Sequence, residues 1–157
     1  MVGGRKEGFW KYLDEEVKSA KNRKLGLIIQ MDTNSWVGAE IIPKDPNKQN
    51  SNGKYMKRFL EQNPALTVVN ALQCCDGVIT RERNTIAGKE TSVLDVYIVC
   101  QRVLGIVKHM QIDHEGKHGL SNFNSKKKSG KVTKSDHHAV ILTLDLTTPA
   151  AKPARTS

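Results

Sequence analysis

The chain of 157 residues has few aromatic side chains, few cysteines and no long apolar run. Its three cysteines include the adjacent pair Cys74 and Cys75, which are too few and too closely spaced for a disulfide framework. We therefore expect a reducing, intracellular setting, either nuclear or cytoplasmic. No apolar stretch approaches the roughly 18 residues needed to span a bilayer, and residues 1–6 do not resemble a secretory signal, so no membrane partner is expected.

Acidic residues are outnumbered by basic ones, 16 against 25, which gives a formal net charge of +9. Such an excess attracts polyanions such as nucleic acid, phosphoinositide headgroups and acidic proteins. Solvated lysines on an ordinary basic protein explain the same charge equally well. The length matches one domain, which is enough to bury a substantial core.

The apolar pattern predicts interleaved helices and strands, and hence an α+β or mixed α/β fold with a mixed sheet. Helices are predicted at residues 8–22 and 55–60, the second ending at Asn63 and Pro64. Strands are predicted at residues 25–31, 66–70, 78–80, 91–100 and 139–146, with 103–107 either extending the sheet or starting a further strand.

Some segments carry more specific expectations. The runs 25–31 and 91–100 are apolar on both faces, which is typical of interior strands covered on both sides. Residues 81–84 are expected to form a charged turn, residues 116–134 an exposed, mobile loop and residues 147–157 a disordered tail.

Three aspartates stand beside predicted strands. Asp32 follows the first apolar run, Asp95 interrupts the apolar run 93–99, and Asp136 with His137 precedes the last strand. A carboxylate inside an apolar strand is costly to bury without a partner, so Asp95 requires His137 or a structural Arg or Lys. The pattern predicts one polar site at the edge of a sheet.

Three segments resemble motifs of the endonuclease/exonuclease/phosphatase superfamily. Residues 27–34 resemble its strand followed by Gly-Asp-Phe-Asn, residues 92–98 its Ser-x-Leu/Ile-Asp-Tyr-Ile strand, and residues 135–137 its Ser-Asp-His signature. Asn52-Gly53 and residues 77–81 are most similar to the retrotransposon-associated endonuclease branch. Three motifs in the family's order are more specific than any one of them alone.

The resemblance implies a partial four-layer αββα sandwich in which residues 1–146 form the C-terminal half of a family domain. The N-terminal half, which carries the metal-binding Glu of the family, is expected in a longer parent protein, as is a reverse transcriptase region. The isolated chain is accordingly expected to be truncated and inactive alone.

The resemblance also implies roles for individual residues in metal-dependent hydrolysis of a phosphodiester. Asp32 would orient or deprotonate the attacking water, and Asn34 would donate a hydrogen bond to the phosphate. Asp95 would accept a hydrogen bond from His137, whose ring would contact the developing negative charge. Asp136 would help to hold a divalent ion, Mg²⁺ with Mn²⁺ as the alternative.

The expected partner is nucleic acid, with DNA favoured over RNA. Basic residues near the motifs would contact its backbone, and these are Arg81, Lys126, Lys127, Lys128, Lys131 and Lys134.

Alternatives remain open for several of these residues. Asp32 and Asn34 are also favoured in turns that follow strands, and the lysine run is equally typical of a solvated segment. Trp10 and Trp36 either stack on bases or pack in the core. Zinc binding by His109, His114 and His118 is disfavoured, because Cys74-Cys75 lacks the CxxC spacing. The alternative functions are a non-catalytic basic nucleic-acid-binding remnant and a phosphatase acting on lipid or inositol phosphates.

Overall fold

The computed structural model describes residues 3–117, 125–126, 132–133 and 136–147. Its helices are α1 (Gly3–Asn22), α2 (Ser51–Gln62) and the single turn α3 (Gln101–Leu104), and a 3-10 turn covers Val69–Ala71. The strands are β1 (Ile28–Asp32), β2 (Leu66–Val68), β3 (Cys75–Asp76), β4 (Arg81–Thr85), β5 (Gly88–Ser92), β6 (Asp95–Cys100), β7 (Val107–Asp113), β8 (Ser125–Lys126), β9 (Val132–Thr133) and β10 (Ala139–Leu144).

The strands form two three-stranded sheets and two hairpin-like pairs. The first sheet has the order β1-β6-β2 and is antiparallel throughout. The second sheet has the order β10-β7-β3, with β10 antiparallel and β3 parallel to β7. The two remaining pairs are β4 with β5 and β8 with β9, both antiparallel.

Strand β6 lies between two apolar cores, and its side chains alternate between them. Val96 and Ile98 belong to a core that includes Trp10 of α1 and Met56 and Phe59 of α2. Tyr97 and Val99, on the opposite face of β6, pack in a second core with residues of the second sheet such as Met110 and Leu142. The described residues therefore form three layers: helices, first sheet and second sheet. This confirms the predicted mixed α/β class.

Helix α2 has clear start and stop signals, and it confirms the helix predicted at residues 55–60. The Asn50 side chain caps it by accepting a hydrogen bond from the Gly53 N–H at 3.0 Å. A Cβ on Gly53 would lie only 2.2 Å from the Trp36 carbonyl oxygen, so a residue with a side chain does not fit there. The helix ends at Gln62, and its C-cap residue Asn63 directly precedes Pro64.

The predictions for the two apolar runs 25–31 and 91–100 need correction. Within the described residues β1 is an edge strand that pairs only with β6, and Ile28 is 42% exposed, so the interior position predicted for residues 25–31 is wrong. The apolar run 91–100 is not one strand either. It divides into the end of β5 and the whole of β6, with Val93 and Leu94 between them.

The predicted charged turn at residues 81–84 is also wrong, because these residues form most of β4. The hairpin tolerates charged side chains since most of β4 and β5 stays exposed or half-buried. Residues 103–107 end α3 and begin β7, and the last strand is confirmed at Ala139–Leu144.

Other expectations fall partly outside the described residues. The segment 116–134 contains the short strands β8 and β9, and residues 148–157 of the predicted tail are not described. Helix α1 has 20 residues but is strongly polar, and none of the described helices combines the length and apolarity of a membrane span.

Candidate active site

Two carboxylates face each other across the first sheet. The antiparallel register of β1 and β6 places Asp32, the last residue of β1, opposite Asp95, the first residue of β6. Like charges directly opposite on neighbouring strands repel each other. The pair is therefore stabilised by any cationic group or ion that comes between or beside the two carboxylates.

His137 approaches this pair from a remote part of the chain. Its Nδ1 is 2.8 Å from Oδ2 of Asp95, and both side chains are partly buried. Backbone pairing holds His137 beside the two carboxylates, because His137 forms an isolated antiparallel β-bridge with Arg81. Next to this bridge, the His138 N–H donates to the Thr80 carbonyl at 2.7 Å. The Glu82 N–H donates to the Asp136 carbonyl at 2.8 Å. The start of β4 thus holds the segment 136–138 against β6.

The backbone of Asp95 is fixed by two polar side chains that were not among the predicted site residues. Thr80 is fully buried, and its Oγ1 accepts the N–H groups of Leu94 and Asp95 at 2.8 and 3.0 Å. On the other side, the Asn70 amide donates to the Asp95 carbonyl at 3.0 Å and accepts the Tyr97 N–H at 3.0 Å. Buried polar groups need such partners, so a Thr and an Asn within apolar segments were the available signal.

Asp32 and Asn34 form a tight turn after β1. The Asn34 N–H donates to Oδ1 of Asp32 at 2.8 Å, and Asn34 has a positive φ of 44°, which Asn adopts more readily than most residues. Asp32 therefore caps the turn after β1, which is the alternative role considered for it above. This role does not remove Asp32 from the site, because Asp32 also faces Asp95 and His137.

The turn itself is anchored to the rest of the fold. Thr33 is buried, and its hydroxyl donates to the Leu94 carbonyl at 2.9 Å. The Asn52 amide at the start of α2 donates to the Thr33 carbonyl at 2.7 Å. The Asn52-Gly53 pair noted in the sequence therefore ties α2 to the loop that carries Asp32 and Asn34.

Asp32, Asp95 and His137 form a candidate divalent-ion site. Each offers one ligand atom, and these three atoms lie within 4.8 Å of one another. Two carboxylate oxygens suit the hard ions Mg²⁺ and Mn²⁺, and an imidazole nitrogen is accepted by Mn²⁺ more readily than by Mg²⁺. The donor chemistry thus fits a divalent ion held mainly by oxygen.

Asp136 lies beside this group but is engaged by Arg81. The Arg81 Nε donates to Oδ2 of Asp136 at 2.8 Å, while Oδ1 of Asp136 is 4.0 Å from Nε2 of His137. Burial alone would raise the pKa of Asp136, but the hydrogen bond from Arg81 and its positive charge outweigh burial and lower that pKa. Arg81 is only 18% exposed and also lies 3.9 Å from Glu90.

Asp136, a predicted ion ligand, thus forms an ion pair with Arg81, a predicted nucleic-acid contact. Both of these roles remain predictions. Of the predicted lysine contacts, Lys126 falls in β8, whereas Lys127, Lys128, Lys131 and Lys134 lie outside the described residues.

Comparison with known proteins gives one informative match. No family model matches the chain, and no curated protein matches it. Among solved structures, the chain is similar to the endonuclease domain of TRAS1, a telomere-specific non-LTR retrotransposon, with a TM-score of 0.57 and 16% sequence identity. The chain shares the fold of that domain.

The match extends over 88% of this chain and 52% of the TRAS1 domain, so the chain spans about half the length of its structural neighbour. At 16% identity the likeness concerns the fold. The endonuclease-type architecture implied by the three sequence motifs is thereby confirmed.

Proposed function

We propose that this chain carries a phosphodiester-hydrolysing centre of the retroelement endonuclease type, formed by Asp32, Asn34, Asp95 and His137. The observation that supports it best is the convergence of Asp32, Asp95 and His137, whose ligand atoms lie within 4.8 Å although the residues belong to three separate segments. The shared fold with a retrotransposon endonuclease domain supports the same assignment.

Hydrolysis of a phosphodiester needs an activated water, stabilisation of negative charge and a positioned substrate. In this proposal Asp32 orients the water and accepts its proton, and Asn34 donates a hydrogen bond to the phosphate. Asp95 accepts the Nδ1–H of His137 and so fixes the orientation of the ring. With Nδ1 engaged in this way, the protonated ring donates its Nε2–H to the phosphoryl oxygens as negative charge develops on them.

The proposed ion is Mg²⁺ or Mn²⁺, held by carboxylates of Asp32 and Asp95. When bound, such an ion supplies positive charge next to the phosphate. We include Asp136 in the proposed ligand set, because its Oδ1 lies outside the hydrogen bond with Arg81. The interaction with Arg81 then competes with the ion for this side chain.

The proposed substrate is nucleic acid, with DNA favoured over RNA. The net charge of +9 supports a polyanionic substrate. The proposed contacts to the nucleic-acid backbone are Arg81, Lys126, Lys127, Lys128, Lys131 and Lys134. Trp36, which follows Asn34 by two residues and is 39% exposed, is a proposed stacking surface for a base. The buried Trp10 packs in the core instead.

We further propose that residues 1–146 correspond to the C-terminal half of a family domain within a parent protein that also carries a reverse transcriptase region. The coverage of 52% of the TRAS1 domain supports a match to about half of a domain. The C-terminal position is proposed from the resemblance of the three motifs alone.

A plasmid-nicking assay with Mg²⁺ or Mn²⁺, carried out on the longer parent protein proposed above, tests the catalytic proposal. We expect Asp32→Ala and His137→Ala to nick about 10²- to 10⁴-fold more slowly than wild type, the usual contribution of acid–base groups. The chain offers a matched control in Asp76 and His109, another Asp–His pair with a 2.8 Å contact, exposed and in the second sheet. Asp76→Ala and His109→Ala should nick at the wild-type rate. Equal rates for wild type, Asp32→Ala and His137→Ala would contradict the assignment.

The second candidate function is non-catalytic binding of nucleic acid. It is favoured by the match to only half of the TRAS1 domain together with the positive net charge. Salt-dependent DNA binding that persists in Asp32→Ala and Asp95→Ala, with no nicking by the wild type at any metal concentration, would select this function over hydrolysis.

A further inference from the structure

A second group of metal-ligating side chains lies outside the candidate active site. Glu82 is on β4, His114 directly follows β7, and His138 directly precedes β10. Each offers one ligand atom, and the three atoms lie within 4.8 Å of one another. The fold thus brings two imidazoles and one carboxylate to one place from three separate segments.

The spacing within this group suits a shared ion. Nε2 of His138 is 3.9 Å from Oε2 of Glu82. Zinc binds nitrogen and oxygen ligands at about 2.0 to 2.2 Å, so two ligands of one tetrahedral ion lie about 3.3 to 3.6 Å apart, and a shift of about half an ångström brings these two atoms to that separation. The rings of His114 and His138 meet edge to face, with centroids 4.6 Å apart and an interplanar angle of 64°.

One ligand atom lacks a hydrogen bond. Nε2 of His138 is completely buried and has no hydrogen-bond partner in the described part of the chain. A buried polar atom without a partner destabilises a folded protein, so such atoms in native proteins call for an explanation. A metal ion at this position would satisfy the nitrogen.

The backbone of the group is held in place before any ion binds. The N–H of Glu82 donates to Asp136, the N–H of His138 donates to Thr80, and the N–H of His114 donates to Ile112, at 2.7 to 3.0 Å. One competitor is present, because Lys89 pairs with Glu82 at 2.9 Å. Lys89 is 57% exposed, and exposed ion pairs contribute little, so its displacement costs little.

We propose that Glu82, His114 and His138 bind a divalent transition-metal ion, with Zn²⁺ as the expected ion. Two imidazoles and one carboxylate suit Zn²⁺, whereas Mg²⁺ prefers a set made of oxygens. Three protein ligands leave a position for water on a tetrahedral ion. Bound there, the ion joins the β4–β5 hairpin to the second sheet next to His137.

This site differs from the zinc site that His109, His114 and His118 would form. Of the three histidines considered there, His109 contacts Asp76 instead and His118 lies outside the described residues. Only His114 takes part, and its partners come from segments whose proximity is set by the fold. The proposal does not depend on nuclease activity.

Titration of the EDTA-treated chain with Zn²⁺, followed by isothermal calorimetry, tests the proposal. We expect one tight Zn²⁺ site per chain in the wild type, and a tenfold or greater loss of affinity in His114→Gln and His138→Gln. His114 is exposed, so His114→Gln keeps the test valid if the His138 variant does not fold. With Co²⁺ as a spectroscopic probe, the wild type should show a visible absorption band that these variants lose.

Two variants serve as controls. His109→Gln removes an exposed histidine elsewhere, and Asp95→Asn alters the other candidate ion site; both should keep the wild-type Zn²⁺ affinity. The proposal is overturned if the wild type shows no stoichiometric Zn²⁺ binding, if His114→Gln binds as tightly as wild type, or if Asp95→Asn abolishes the binding. None of these results depends on whether the chain nicks DNA.

Discussion

Asp95 and His137 belong to different parts of the fold, yet a carboxylate oxygen of Asp95 lies 2.8 Å from Nδ1 of His137. Asp95 begins β6 in the first sheet, and His137 lies two residues before β10 of the second sheet. The contact therefore joins the two sheets at the edge where Asp32 also lies.

The first prediction concerns Asp95. Asp95→Asn keeps the size of the side chain but removes the charge, and it presents an amide that favours the wrong tautomer of His137. We expect single-turnover nicking to slow by about 10²- to 10⁴-fold with the fold retained. Asp76→Asn, the same change in the exposed pair with His109, should leave the rate unchanged. A wild-type rate for Asp95→Asn would show that its contact with His137 is only structural.

The second prediction concerns Thr80, which accepts two backbone N–H groups within the core. Thr80→Val has nearly the same shape but cannot accept these bonds, so it should lower the free energy of unfolding by about 1 to 3 kcal/mol. Thr80→Ser keeps the acceptor and should lose less. Guanidinium unfolding followed by circular dichroism measures both values, and a Thr80→Val protein as stable as wild type would contradict this role.

The third prediction concerns Trp36. If a base stacks on its exposed ring, Trp36→Ala should weaken binding of single-stranded DNA by about 1 to 3 kcal/mol, measured by fluorescence anisotropy at fixed salt. Tyr12 on α1 is 57% exposed and belongs to none of the site motifs, so Tyr12→Ala is a suitable control with little expected effect. Equal losses in the two variants would argue against a specific stacking position.

The fourth prediction concerns Cys75, whose pKa is raised from 9.0 to about 11, chiefly by burial. Folding favours the neutral thiol, so this group stabilises the fold fully below about pH 9 and loses that contribution as the pH rises through about 11. The free energy of unfolding should therefore fall more steeply above pH 9 in the wild type than in Cys75→Ala. Parallel pH profiles for the two proteins would contradict the burial of the thiol.

The sequence was sufficient to predict those helices and strands whose position is set by neighbouring residues along the chain. The helical spacing in α1, the Asn63-Pro64 stop of α2 and the apolar run of β10 were all sufficient. The edge position of β1 was missed, because an apolar run shows that a strand is partly buried but does not show how many neighbours it has.

The residues of the candidate site were likewise predictable only in part. The three motifs predicted Asp32, Asp95 and His137 as members of one site, since each has a distinctive local sequence. The ion pair between Arg81 and Asp136 and the group formed by Glu82, His114 and His138 were not predictable. Those contacts depend on how β4 packs beside residues 136–138, which no local pattern specifies.

The central claim is that Asp95 and His137 act as one catalytic unit, and a double-mutant cycle on nicking tests it most directly. Rates of single-turnover nicking are measured for wild type, Asp95→Asn, His137→Gln and the double variant. Because residues that act together are non-additive, we predict that the double variant is about as slow as the slower single variant. Losses that multiply, or four equal rates, would contradict the claim.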